Sequence, residues 1–374
     1  MSGQRPDAVV IGGGAVGCAS AWELARRGLR VVVVERGTPG GEATWAAAGM
    51  LSVMPEGDRP DALYALARAS HDRYPGFLRA VREATGAIVE LRELGNLRVA
   101  LSDDAAEALR REVEREWAAG LEAEWLDPAA ARELEPSLAG TIRAAALTQR
   151  DAHVDNRRLG RALWAAAAAA GVAFRLGVPA ARVVFGSGGQ VAGVELASGE
   201  RIDAGAVVVA AGSWSGTLGG LPRPLPVHPV RGQMLAVEAV PPLVRRIVMG
   251  SACYLVPASD GRVLVGATVE RAGFDRRVTP AGLRNLVSAA IALVPDLAEA
   301  PIVETWAGLR PGTPDGFPVL GADPEVAGLV YATGHFRNGI LLTPITAEIV
   351  ADLVTGRPPA VGLEPFSPTR FTEP

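Results

Sequence analysis

Two short stretches hold the residue types that do chemistry. In "VVIGGGAVGCASAWELARRG" the glycines Gly12, Gly14 and Gly17 satisfy G-x-G-x-x-G, and Glu35 follows 18 residues after the last of them. Gly12 suits a tight turn out of a strand, Gly14 lets backbone approach a pyrophosphate, and Gly17 lets a helix pack closely on the strand. The N-terminus of that helix offers unpaired N–H donors and a positive dipole end to phosphates. Glu35 is placed to accept a hydrogen bond from a ribose and to repel a 2′-phosphate, an argument that the neighbouring Arg36 weakens. In "YATGHFRNGILLTP" a guanidinium, Arg337, stands between Phe336 and Asn338-Gly339, where a turn opens an apolar helix. In a dry site such a group is a planar fork for a carboxylate. Arg310, between Leu309 and Pro311-Gly312, is a second fork of this kind. The helix expected to begin near Gly339 and to be closed by Gly356 directs its positive end at the turn, where negative charge would be stabilised.

Composition removes other chemistries. All 37 cationic residues of the 374 are Arg, so a lysine Schiff base and a P-loop lysine are both excluded. Cys18 and Cys253 give neither a disulfide framework nor a metal spacing, and His71, His153, His228 and His335 are scattered, so no metal site is expected. A net charge of −4 argues against a nucleic-acid or anionic-membrane partner. A strand begins by about Asp7, leaving no room for a signal peptide, and no apolar run reaches the length of a membrane span. The chain reads as soluble and cytoplasmic.

The elements that must position these residues follow from the hydrophobic pattern. Ala8–Ile11, a helix to Arg27 that Gly28 can stop, and Leu29–Val34 ending on Glu35 form one βαβ unit. From Pro60 to Arg143 charged helices dominate; near Asp151 the first texture returns, through a β-meander to the apolar strand Ala206–Ala210 and Gly212. From Pro222 to about Pro301 alternating strands and an Asp-Gly turn predict an antiparallel sheet with one face to solvent. The expected class is α/β (α+β): a Rossmann-like domain from residues 1–80, 145–221 and 302–374, interleaved with a substrate domain from 81–144 and 222–301. A plain NAD domain is contiguous. Here two distant apolar strands, ending in "AAG" and "ATG", complete the sheet, which favours an extended FAD reaching the second domain.

Beyond the glycine turn, "GGEATWAAAGML", "CYLVP", "LVGAT", "WAGLRPGTPDG" and "GHFRNGILL" run from residue 40 to residue 342. On these stretches the chain resembles the D-amino acid oxidase family of FAD-dependent oxidoreductases, and within it the glycine oxidase group of thiamine biosynthesis. The resemblance implies that Ala15 and Val16 contact the pyrophosphate and that Glu35 with Arg36 meets the adenosine end. It implies that Ala43, Thr44, Ala48, Gly49 and Met50 line the FAD and that Ala180 meets the adenine through its backbone. His335, Phe336, Arg337, Asn338, Gly339, Ile340 and Leu341 would wrap the flavin. Arg337, Arg310, Tyr254 and Met50 would meet the substrate.

The activity so implied is oxidative deamination of glycine and other small amines, with sarcosine and small D-amino acids among them, by oxygen. A hydride passing from the substrate to the flavin demands no catalytic acid or base from the protein. Sarcosine oxidases of this family attach FAD through a cysteine near the segment aligned with "GLRPGTPDG"; none occurs here, so non-covalent FAD is expected. A homo-oligomer, a tetramer by resemblance, is implied. Members of the glycine oxidase group carry histidine where this chain has Ala252 and methionine where it has Val269, which implies a roomier pocket. A sarcosine or D-proline oxidase and a D-amino acid dehydrogenase are the alternatives within the family. A non-catalytic FAD-binding protein or a tRNA-modifying protein is the alternative outside that chemistry, the latter disfavoured by the charge.

Overall fold

A computed structural model describes residues 5–53 and 61–371. The first sheet has six strands in the order Val319–Ala322, Leu329–Thr333, Ala206–Val209, Ala8–Ile11, Val31–Glu35 and Ala173–Leu176. All its pairings are parallel except that of the edge strand Val319–Ala322 with Leu329–Thr333. The central strands are buried at every position, and apolar but for Thr333, because both faces are covered. Ala8 and Val10 face the helices Ala15–Arg26, Asn156–Ala169 and Thr343–Val354, while Val9 and Ile11 face the three-stranded meander Ala180–Phe185, Val191–Leu196, Arg201–Asp203. The expected helix stop holds: Gly28 takes φ +88° just after the helix.

An eight-stranded, mostly antiparallel sheet runs in the order Ile302–Gly312, His228–Glu238, Arg262–Gly266, Tyr254–Pro257, Ile247–Met249, Asn96–Ala100, Ala144–Thr148 and Glu124–Leu126. The expectation of a solvent-facing side fails along His228–Glu238. There Val230 to Val237 are all buried, because the helix Pro280–Leu293 covers one face and the segment Ala46–Met50 the other. Leu235 and Val237 pack with Leu286, Ala290 and Leu293, and Met234 and Ala236 pack with Ala46, Ala48 and Trp306. Each large side chain so buried stabilises the fold by about 1.5–3 kcal/mol. Strand pairing also bears on the expected domain boundaries at 144/145 and 301/302. Ala144–Thr148 and Ile302–Gly312 are both strands of the eight-stranded sheet, whereas the division drawn from the sequence put 145–148 and 302–312 with the nucleotide-binding segments.

Ala43–Ala46 joins the two sheets. Trp306 donates from Nε1 to the Ala46 carbonyl at 3.0 Å, and a side chain at Gly308 would come within 2.3 Å of the Ala46 Cβ. Arg157 pairs through both Nη atoms with Glu304 at 3.0 and 2.9 Å, its guanidinium 3.9 Å from the Trp45 ring. Among the described residues no helix is long and apolar enough to cross a membrane.

Candidate functional site

The glycine turn is built as its spacing requires. Gly12 has φ +106°, and a Cβ there would lie 2.3 Å from the Ala210 carbonyl oxygen, so only glycine passes between the two parallel strand ends. A Cβ at Gly17 would lie 1.9 Å from the Gly12 carbonyl oxygen, which makes Gly17 a helix–strand contact and keeps it off the cleft surface. Glu35 accepts from Gly13 N at 2.8 Å through one oxygen and from Gly37 N at 2.7 Å through the other. Its carboxylate therefore shapes the turn while still lining the cleft. Ala15 N donates to Thr44 Oγ1 at 2.9 Å; among the described residues the N–H groups of Val16 and Gly17 meet no protein acceptor. These first-turn donors, with the dipole behind them, fit a phosphate.

Beside the glycine turn the two apolar strands deliver Gly212 and Gly334, from which the chain runs on to the other end of the cleft. Thr333 Oγ1, bonded to Ser215 Oγ at 2.6 Å and donating to the Gly212 carbonyl at 3.2 Å, ties the strand ends together. The helix after the turn begins at Thr343, four residues later than expected, with Pro344 in its first turn. Residues Asn338–Leu342 instead form tight turns, in which Asn338 N donates to the His335 carbonyl and Leu342 N to the Asn338 carbonyl, both at 2.8 Å. Among the described residues the N–H groups of Gly339, Ile340 and Leu341 meet no protein acceptor, so the polar N–H groups lie on the turn as well as on the helix end. Phe336, at φ +46°, holds a left-handed conformation that a bulky residue adopts only where its surroundings impose it. His335 turns its ring away, bonding Thr346 Oγ1 at 3.1 Å, and burial pulls its pKa down to about 4, leaving it neutral. Leu341 is buried beneath the turn and does not line the cleft.

Between these ends stand the two guanidiniums. Arg310 lies flat over Gly232, where a Cβ would meet its Nη1 at 2.3 Å, and donates to the Thr268 carbonyl at 3.0 Å. Tyr254 occupies the same position over Gly266, with its hydroxyl 3.8 Å from Met234 Sδ. Arg337 is exposed to the cleft and lies 5.2 Å from the Phe336 ring centroid. Burial lowers the pKa of Arg310, Tyr254 acts to raise it, and the nearby positive Arg337 lowers it further; burial raises that of the Tyr254 phenol against the pull of both arginines. Among the described residues neither arginine has an acidic partner. The acid on this side, Glu270, is committed to Arg231, Gln233 and Thr268, and those hydrogen bonds outweigh burial and hold its carboxyl below the usual range. Two cations without a counter-ion make a site for a small carboxylate.

One cleft of about 1360 Å³ connects both ends. It is lined by every residue singled out in the sequence except Gly17 and Leu341: Met50, Ala43, Thr44, Ala48, Gly49, Ala180 and Gly212 all face it. Ala252 and Val269 line it too. Trp214, Gln233, Glu42 and Asn285 were missed. Trp214 comes two residues after the "AAG" strand end, a position that could have flagged it, whereas Gln233 and Asn285 sit inside ordinary strand and helix patterns. The open length, the spare N–H groups at both ends and the backbone approach at Gly12 fit a dinucleotide with an extended ring system.

Residues 7–353 match the family model described as DAO, FAD dependent oxidoreductase. The chain is 40% identical over 369 residues to the glycine oxidase of Geobacillus kaustophilus, covering 98% of this chain and 97% of that one. It is 38% identical to the bifunctional protein ThiO/ThiG of Trichormus variabilis, covering 98% of this chain but 55% of that longer protein. The crystal structure of the Geobacillus kaustophilus glycine oxidase superposes with a TM-score of 0.94 over 99% of this chain and 100% of that one, at 39% identity.

Proposed function

This chain belongs to the FAD-dependent oxidoreductase family, and we propose that it oxidises glycine and similarly small amines, sarcosine and small D-amino acids among them. The products are a 2-oxo acid, ammonia and hydrogen peroxide. The observation that carries this reading is the pair of guanidiniums, Arg310 and Arg337, without an acidic partner among the described residues, in a cleft continuous with the dinucleotide turn. FAD, when bound, supplies the redox chemistry, taking two electrons from the substrate and passing them to oxygen.

The chain's own residues bind, orient and exclude water. Arg310 and Arg337 hold the substrate carboxylate, and Tyr254 closes the pocket beside them. Val16 presents its backbone N–H to the pyrophosphate of the cofactor, and the turn after Asn338 presents its own to the flavin. Among the described residues no side chain near the arginines is a free base: Glu270 is already paired and His335 is neutral with its ring turned away. The amine is therefore taken in its neutral form; oxidation breaks the Cα–H bond with its electron pair leaving as hydride, the nitrogen gives up one proton, and the Cα–N bond becomes the C=N bond of an imine. Water hydrolyses the imine, releasing ammonia. Nothing in this sequence of events asks for a catalytic residue, and the protein's contribution is positioning.

FAD is held non-covalently in this proposal, since burial pushes both thiols, Cys18 and Cys253, up to about 12. The likeness to a ThiO/ThiG protein supports a role for the product in thiazole formation during thiamine biosynthesis. A cytoplasmic homo-oligomer completes the proposal. A peroxide-coupled assay with glycine, sarcosine, D-alanine and D-proline tests it; no peroxide from any of the four overturns it. Yellow colour released by acid precipitation tests the non-covalent cofactor.

A further inference from the structure

One segment reaches across the cleft from the large sheet to the nucleotide sheet. Residues 267–279 join the Arg262–Gly266 strand to the Pro280–Leu293 helix with no helix or strand of their own beyond an isolated bridge at Glu270. Buried Arg231 ties these residues down at both root and tip, donating from Nε to Glu270 at 3.0 Å and pairing with Asp275 at 3.1 Å. Their tip makes two contacts on the far side. The Phe274 ring stacks on Trp214 with centroids 5.3 Å apart, and Arg276 pairs with Glu42 at 2.8 Å. The other oxygen of Glu42 takes Arg36 at 2.5 Å, and the Arg36 guanidinium lies 3.5 Å over the Trp214 ring. The five side chains Arg36, Glu42, Arg276, Phe274 and Trp214 thus close a ring.

Three of the five, Arg36, Glu42 and Trp214, line the cleft, and Arg36 and Trp214 follow the C-terminal ends of parallel strands. Arg36 follows directly on the acid that marks the adenosine half of a dinucleotide. Phe274 is 43% exposed, an apolar ring that its own loop does not bury. An exposed ring and an exposed cation, each aimed at a residue of the adenosine wall, do little for the fold and much for the closure of that wall.

We propose that Phe274 and Arg276 retain the cofactor: segment 267–279 is a latch over the adenosine end, and the dinucleotide leaves only when the stack and the ion pair both open. The inference rests on FAD binding and is independent of which amine is oxidised. It accounts for retention without a covalent link, since release then waits on a protein motion.

The test is the release rate of FAD from the holoenzyme, followed by the rise in flavin fluorescence after dilution. A stack and an exposed ion pair together slow release by about three- to seventyfold, so Phe274→Ala/Arg276→Ala should release FAD faster by that factor. Arg276→Lys should restore most of the slow release, and added salt should speed wild-type release toward that of Arg276→Ala. Unchanged release in the double variant overturns the latch. Acceleration that neither salt nor Arg276→Lys tracks also overturns it, assigning the effect to general loosening. Holoenzyme that makes no peroxide but shows the predicted release pattern would sink the amine-oxidase reading and leave the latch standing.

Discussion

Gly232→Ala puts the substrate site to a direct test, because Arg310 rests on the bare backbone at that position. A Cβ there would lie 2.3, 2.5 and 2.6 Å from Arg310 Nη1, Nη2 and Cζ. Non-bonded carbon contacts settle at about 3.5–4.0 Å, so the guanidinium must retreat by roughly 1 Å or more. It is the far end of a flexible side chain and can retreat without unfolding anything, so stability should change by less than about 1 kcal/mol. What it loses is alignment, both with the Thr268 carbonyl now 3.0 Å away and with the substrate carboxylate. A hydrogen bond to a charged group contributes about 1.5–3 kcal/mol, which converts to a KM increase of about 10- to 150-fold. The assay is peroxide-coupled steady-state oxidation of glycine, accompanied by titration of acetate, an inert carboxylate, into the FAD-loaded enzyme by flavin absorbance. KM and acetate Kd should rise together. If both stay unchanged in a folded, FAD-loaded variant, Arg310 does not face the substrate and the carboxylate site has been misassigned.

Arg337→Ala should raise the KM for glycine at least about tenfold by removing the second charged anchor, and an unchanged KM would take Arg337 out of the site. Gly17→Ala places a methyl 1.9 Å from a backbone oxygen that has little room to yield, so the variant should purify without yellow FAD or fail to fold; a normal flavin content would refute the close-packing argument. His153 and His335 are both pulled by burial from 6.5 to about 4. At pH above 6.5 they are neutral folded or unfolded. As pH falls from 6.5 toward 4 the unfolded chain binds protons the native one refuses, costing about 1.4 kcal/mol per pH unit for each histidine. Replacing His335 by Gln should therefore flatten the loss of Tm across that window, and parallel wild-type and variant curves would contradict a neutral buried imidazole.

Much of this was legible in local sequence. The glycine turn, its strand and its helix are specified within about 30 residues, because backbone clearance at Gly12 and Gly17 admits no other residue. The two late strands were readable as largely apolar runs. Other features depend on partners remote in sequence. Whether His228–Glu238 faces water is decided by the helix Pro280–Leu293 and the segment Ala46–Met50, and no periodicity in the strand itself announces either. The helix start slid from Gly339 to Thr343 because the intervening turns bond His335 and Asn338 carbonyls, a pattern that apolar periodicity does not distinguish from helix. Phe274 carries no motif, and Trp214 and Glu42, although one stands just after and the other within a recognisable stretch, gain their role only once three separate loops meet.

Apart from Arg231 and Gln233, which bond Glu270 from the helix-facing side, the doubly covered strand His228–Glu238 also divides the labour of adaptation by parity. Positions 232, 234 and 236 look toward the cofactor side, where Gly232 seats the arginine and Met234 meets the tyrosine. Positions 235 and 237 look toward the helix and are pure core. A lineage changing its preferred amine can vary alternate residues of one strand while the residues between them go on holding the domain together. The two sides of this ribbon of backbone thus differ in kind: a change at 235 or 237 touches endurance alone, while a change at 234 or 236, both buried as well, touches chemistry and endurance together.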